Sequence, residues 1–194
     1  VKLVIVDGSV RQGRATNRVA AWVAKTANEV LNDVDIEVVD LRELQIPMFD
    51  EPVLPMMNPD RQPEGDTKVW LDALSSADAF VFVTPEYNHG MPSGLKSAID
   101  YINFQVMHKP FLVVSHGSNG GARSGEQLKQ VLNANIGALP VGSSITINGM
   151  VGFGDMISED GTPHVDEVKR QQSGLEDKLQ LLVKYAEALA PIRG

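Results

Sequence analysis

The stretch TPEYNHGMPSGLKSAIDY, residues 84–101, decides the fold. Ahead of it runs Ala79-Phe80-Val81-Phe82-Val83, apolar and β-branched or aromatic, which reads as a strand buried on both faces. The next ten residues, 85–94, hold two prolines, two glycines and an asparagine, so the strand ends in a turn. From Ser93 the pattern changes to Leu95, Ile99 and Ile102 at helical spacing, predicting a helix over residues 93–103. A buried strand, a polar turn rich in Gly and Pro, and a helix form the unit with which parallel α/β sheets hold ligands at their carboxyl edge.

The same unit recurs on either side. Lys2 to Asp7 (KLVIVD) is a first strand, followed by the turn Gly8-Ser9-Val10-Arg11-Gln12-Gly13-Arg14-Ala15-Thr16-Asn17 and a helix over residues 17–31, with Thr16 or Asn17 as its N-cap. Residues 35–41 (DIEVVDL) are a second strand. Residues 111–115 (FLVVS) are a fourth, ending in His116-Gly117-Ser118-Asn119-Gly120-Gly121. A helix then runs to about Ile136, with Ser124 and Gln127 as a capping box and Gly137 as its stop. A short fifth strand covers residues 143–147, and a last helix carries a break at Ser173-Gly174, with Ser173 and Glu176 capping its second half. Residues 67–76 make a helix before the third strand. Between the second strand and that helix, residues 42–66 carry five prolines and little periodicity. Ile46, Met48, Phe49, Leu54 and Met56 in this stretch predict an ordered loop packed on something, a second subunit being one option. With no internal repeat or linker, residues 1–194 are expected to form one α/β domain. Its sheet has five parallel strands with helices on both faces, in the flavodoxin-like order 2-1-3-4-5.

Composition narrows the function. The net charge of −8 argues against nucleic-acid or anionic-membrane partners, which need a basic surface. No apolar run reaches the length of a membrane span, and the opening VKLVIVDGS reads as a strand rather than a signal peptide. With no cysteine, disulfides and thiolate metal sites are ruled out, which fits a cytoplasmic protein. The four histidines have no metal-ligand spacing, and Ser9 lies in G-S-V-R rather than in the G-x-S-x-G of a nucleophile elbow.

In the 2-1-3-4-5 order the turns after strands 1, 3 and 4 line one crevice. The first suits a phosphate: Gly8 permits a tight turn, Ser9, Thr16 and Asn17 are short donors, Arg11 adds a charged fork, and a helix N-terminus follows. It is neither a dinucleotide fingerprint nor an ATP P-loop. The turn at Pro85, Glu86, Tyr87, Asn88 and His89 suits the edge of a flat polar ring. The turn at Ser118 and Gly120 is small enough to let a ring approach the backbone.

Taken together, these residues resemble the NADPH-dependent FMN reductase family, flavodoxin-like reductases of quinones, azo dyes and chromate. The resemblance rests on G-S-x-R with Thr16-Asn17, on T-P-E-Y-N followed by P-S-G-L-K, and on L-R-E-L-x-I-P-M-F-D over residues 41–50. It implies FMN as cofactor, with Ser9, Arg11, Thr16 and Asn17 on the phosphate. Pro85, Glu86, Tyr87, Asn88 and His89 would then lie along the isoalloxazine edge, and Ser118 and Gly120 on its other side. It implies NADPH or NADH as hydride donor, a small electron acceptor in a ping-pong cycle, no protein side chain as catalytic acid, and a homodimer or homotetramer built on the helices after strands 3 and 4. His89-Gly90 replaces bulkier residues that some members carry, which implies a more open mouth over the ring. A non-enzymatic FMN carrier, a flavodoxin proper, is the alternative. The length, the proline-rich loop and the lack of tryptophan in the three turns speak against it.

Overall fold

A computed structural model describes residues 1–134, 136–149 and 156–193. Among the described residues six strands fill five positions: β1 (Lys2–Asp7), β2 (Asp35–Asp40), β3 (Ala79–Pro85), β4 (Pro110–Gly117) and, sharing the last position, the short β5 (Leu139–Pro140) and β6 (Ile145–Asn148). All pair in parallel, in the order β2-β1-β3-β4-β5, with β6 also on β4. The expected flavodoxin-like order is therefore present. Its fifth strand is split, because Gly142 takes a positive φ between the two pieces and Pro140 has no N–H for a ladder.

The helices are α1 (Thr16–Val30), α2 (Gly65–Ser76), α3 (Ser93–Asp100), α4 (Ala122–Ala134), a single turn α5 (Asp166–Lys169) and α6 (Gln172–Leu189). They cover both faces of the sheet. On one face Val4, Val6, Phe80, Phe82, Phe111 and Val113 meet α2, α3 and α4. On the other, Leu3, Ile5, Val81, Val83, Leu112 and Val114 meet α1 and α6. The period-2 alternation of strand side chains thus serves two cores at once, which is why each strand is apolar throughout. Both tryptophans lie in these cores. Trp70 Nε1 donates to Ala98 O at 2.8 Å, and Trp22 Nε1 to Gln172 Oε1 at 2.6 Å. No helix among the described residues is long and apolar enough to cross a membrane.

Helix ends depart from the sequence reading. Ala15, not Thr16 or Asn17, is the N-cap residue of α1, and no side chain caps the helix. α4 starts at Ala122, so Ser124 and Gln127 lie inside it rather than forming a capping box. Ser124 shares a hydrogen bond with Thr84 Oγ1 at 2.8 Å, and Gln127 Oε1 accepts Met91 N–H at 2.8 Å. α3 ends at Asp100 rather than at residue 103. The C-terminal break falls at Arg170-Gln171, so Ser173 and Glu176 are helical residues and not caps.

The proline-rich loop packs on α3 of its own chain. Phe49 N–H donates to Ser97 Oγ at 2.9 Å, and its ring meets Tyr101 edge-on at 5.0 Å. Arg61 donates to Glu51 and to the carbonyl of Tyr101. Met48, Leu54 and Met57 point outward from this anchored loop. In the glycine-rich segment 148–163, which follows the last strand, residues 150–155 lie outside the described residues. Beyond them an isolated bridge, Ile157 to Pro163, closes a turn against α1. There Gly161 sits so close to Ala21 that an added Cβ would stand 2.5 Å from its backbone.

Candidate functional site

Because all strands run in parallel, the turns after β1, β3 and β4 emerge on one edge, and each is tied to the other two. Ser9 Oγ and Tyr87 Oη share a hydrogen bond of 2.8 Å, joining the first turn to the second. Thr16 Oγ1 and His116 Nε2, 3.0 Å apart, join the first to the third. Glu86 N–H donates to His116 O at 3.1 Å, and Glu86 accepts from Arg123 N–H and Arg123 Nη1, both at 3.0 Å, joining the second turn to the start of α4. The chain positions cross-linked in this way are 30 to 100 residues apart.

The first turn begins with Gly8, whose N–H donates to Val83 O at 2.9 Å; a Cβ there would meet that oxygen at 2.8 Å. Ser9 is fully buried, and its N–H donates to Asp7 Oδ1 at 3.2 Å. Arg11 is exposed, reaches Gly13 O at 3.2 Å, and lies 5.6 Å over the Tyr87 ring. Among the described residues the N–H groups of Thr16 and Asn17 have no protein acceptor, and α1 carries no acid in its first turn. An uncapped helix N-terminus beside an exposed arginine and two buried hydroxyls is a donor set suited to an anion.

The second turn is a tight hairpin. Tyr87 and Gly90 exchange both backbone hydrogen bonds, at 3.0 and 3.1 Å, with Asn88 and His89 between them at φ of 49° and 65°. Two successive left-handed residues are the geometry of a type I′ turn, adopted here without glycine. Pro85 is buried as the last residue of β3, while Asn88 and His89 form the exposed tip. In the third turn Gly117 N–H lies on β4, Gly120 and Gly121 both take φ near +68°, and Ser115 Oγ donates to Gly120 O at 2.7 Å. Gly120 is buried and Ser118 exposed.

The structure thus brings Ser9, Arg11, Thr16, Pro85, Glu86, Tyr87 and Gly120 together. Asn17, Asn88, His89 and Ser118 stand at the rim, exposed to solvent. Glu86 differs in kind. Its burial pushes its pKa up, but hydrogen bonds from Arg123 outweigh this and hold the carboxyl below its usual range, so the side chain is a charged strut. His116 is nearly fully buried, which lowers its pKa to about 4 and keeps the ring neutral at pH 7.

Sequence reasoning passed over four residues. Arg14 donates through Nε to Asp7 Oδ2 at 3.0 Å and through Nη2 to Asp40, bridging the ends of two strands. His116, Arg123 and Gln127 are the others. A signal for the first existed: β1 and β2 both end in aspartate, and a 2-1 neighbour pair in register places Asp7 beside Asp40. Of the remaining three, Gln127 reads locally as half of a capping box, and no local pattern marks His116 or Arg123; the partners of all three come from other turns.

Comparison with known proteins agrees with this geometry. The family model described as NADPH-dependent FMN reductase matches residues 1–151. An NAD(P)H-dependent FMN reductase of Schizosaccharomyces pombe is 42% identical over 130 residues, 67% of this chain and 64% of its own length. A quinone reductase of Escherichia coli is 33% identical over 142 residues, 68% of this chain and 69% of its own length. Among solved structures, the flavoenzyme NAD(P)H:(acceptor) oxidoreductase FerB from Paracoccus denitrificans shares the fold at a TM-score of 0.72 and 20% identity, covering 96% of this chain and 97% of that one. On the match of its first three-quarters and the order of its strands, the chain belongs to the NADPH-dependent FMN reductase family.

Proposed function

We propose that the chain is an FMN-dependent NAD(P)H oxidoreductase acting on quinones or similar small acceptors, azo, nitro, chromate or free flavin among them. The observation that carries this is the pairwise cross-linking of the three turns into one anion-and-ring cradle at the sheet's carboxyl edge. The first turn fits a phosphate monoester: Ser9, the uncapped N–H groups of Thr16 and Asn17, and the Arg11 guanidinium supply donors, and the first turn of α1 carries no acid. The segment Pro85, Glu86, Tyr87, Asn88 and His89 offers backbone and amide groups to a ring edge, and Ser118 and Gly120 close the opposite side. Bound FMN would supply two-electron hydride chemistry.

The protein's part is to hold and shape. Arg11 and the start of α1 offset phosphate charge. The Glu86–Arg123 strut fixes the second turn against α4, so that the donors are in place before a ligand arrives. Neutral His116 holds Thr16 and therefore the first turn of α1. NAD(P)H and the acceptor would use the same mouth in succession, at the rim formed by Asn88, His89 and Ser118, which is a ping-pong order. The assembly we propose is a homodimer or homotetramer. An apolar groove of about 530 Å³ between α3 and α4, lined by Leu54, Met56, Ile99, Ile102 and Val131, supports it.

The test is a visible spectrum of the purified protein reconstituted with FMN, followed by anaerobic NADPH and NADH. Bound flavin bleached by either donor and restored by a quinone is expected. Protein that binds no flavin refutes the proposal, and flavin that neither donor bleaches makes the chain a carrier instead.

A further inference from the structure

Asp7 is a buried carboxylate with no part in the donor set just described, yet it lies directly beneath it. It ends β1 with 1% of its surface exposed. Its Oδ1 accepts the N–H of Ser9, a residue of the turn proposed for the phosphate, and its Oδ2 accepts Arg14 Nε. Arg14 also serves Asp40, the register partner of Asp7 at the end of β2. One guanidinium therefore balances two carboxylates, leaving a formal negative charge under an anion site.

The neighbouring elements supply little to offset it. β3 presents Val83 as the register partner of Asp7, and the residue that starts α1, Thr16, is uncharged. Arg11 and Arg42 are turned onto the carbonyls of Gly13 and Val10. Asp66, in the first turn of α2, is bound to Gln45 N–H, and His116 behind Thr16 is neutral. Burial pushes the Asp7 carboxyl up, Arg14 opposes and Asp40 adds, and the balance is a pKa of about 6. A dianionic phosphate arriving in the turn that holds Ser9 adds like charge beside this carboxylate.

We infer that Asp7 takes up a proton when the phosphate of the cofactor enters the first turn, and that this residue sets how the hold on the cofactor changes with pH. This rests on the FMN reading above. The proton comes from solvent and stays on the Asp7 carboxyl. No bond of the cofactor is made or broken. Affinity for FMN then falls as pH rises above neutrality, a range in which the phosphate, with a second pKa of about 6, no longer changes charge.

The experiment is calorimetric titration of the wild-type protein with FMN at about pH 7.5 in buffers of different ionisation enthalpy, which counts protons without any variant. Net uptake of about half a proton or more per FMN is expected. In parallel, Asp7→Asn should abolish the uptake and tighten FMN binding about tenfold at pH 8, the equivalent of one pKa unit. FMN bound with no proton uptake, or bound equally well by Asp7→Asn at pH 8, overturns the inference and leaves the cofactor reading standing. Wild-type protein that binds no FMN at any pH overturns both.

Discussion

Gly121→Ala tests whether the turn after β4 has the shape that the site requires. Gly121 has φ of +69°, and a Cβ there would stand 2.6 Å from His116 O, 2.7 Å from His116 N and 3.0 Å from His116 C. These are backbone atoms of a buried strand, so no rotamer change relieves the contact. The left-handed conformation alone costs an alanine about 1–2 kcal/mol. Relief means opening the turn, which strains hydrogen bonds that hang on its frame: Glu86 N–H to His116 O, Gly120 N–H to Gly117 O and Gly125 N–H to Gly121 O. Losing two of them adds roughly 2 kcal/mol at about 1 kcal/mol each. The expected loss is about 3–4 kcal/mol in all. Gly13→Ala is the internal control. Its φ is +68°, but nothing lies within 4 Å of the added Cβ, so the loss should stop at about 1–2 kcal/mol. Urea unfolding of both variants reads the difference directly. If Gly121→Ala is no less stable than Gly13→Ala, the close packing of the third turn on His116 is wrong, and with it the rigid wall proposed for the cofactor.

Other consequences follow from charge and strain. In the folded chain Asp7 titrates near pH 6 against 3.8 in the unfolded chain, so its contribution to stability declines as pH rises through that window. His116 titrates near pH 4 against 6.5, so its contribution grows as pH rises through nearly the same window. Each amounts to about 3 kcal/mol and they oppose, so wild-type stability should be nearly flat from about pH 4 to 6.5. Asp7→Asn should expose the rising slope and His116→Asn the falling one; parallel curves for all three proteins in urea titrations would sink this pairing. His89→Gly should stabilise the protein by about 1 kcal/mol, because glycine removes the left-handed strain at φ 65° in the Tyr87–Gly90 turn. A lower unfolding midpoint would mean that the His89 side chain stabilises the turn by more than its backbone strain costs. Arg11→Ala should weaken FMN binding by about 1.5–3 kcal/mol, the range for a hydrogen bond to a charged group. An unchanged dissociation constant from flavin-fluorescence titration would take Arg11 out of the phosphate site.

Most of the frame is legible in the residues because buried parallel strands are written as unbroken apolar runs. KLVIVD, AFVFV and FLVVS mark their own positions, and glycine and proline mark where they stop. The three turns are legible for the same reason. What is not legible depends on contacts between turns. Ser124 and Gln127 look like a local capping box, but Ser124 is drawn to Thr84 and Gln127 to Met91, partners 40 and 36 residues away. Thr16 looks like a cap and instead meets His116 across the sheet edge. Hydroxyls and amides near a helix start satisfy themselves locally only when no tertiary partner offers a better geometry. The proline-rich loop has no period to read, and its order comes from Phe49, Arg61 and Tyr101 meeting in space.

Where the flavin sits is the central claim, and backbone amide NMR of the isotopically labelled protein titrated with FMN tests it most directly. Shifts concentrated at Ser9, Arg11, Thr16 and Asn17, at Glu86, Tyr87, Asn88 and His89, and at Ser118 and Gly120 are expected, with residues at the opposite edge such as Asp78 and Lys109 unmoved. FMN that shifts Asp78 and Lys109 and leaves the three turns in place would contradict the account.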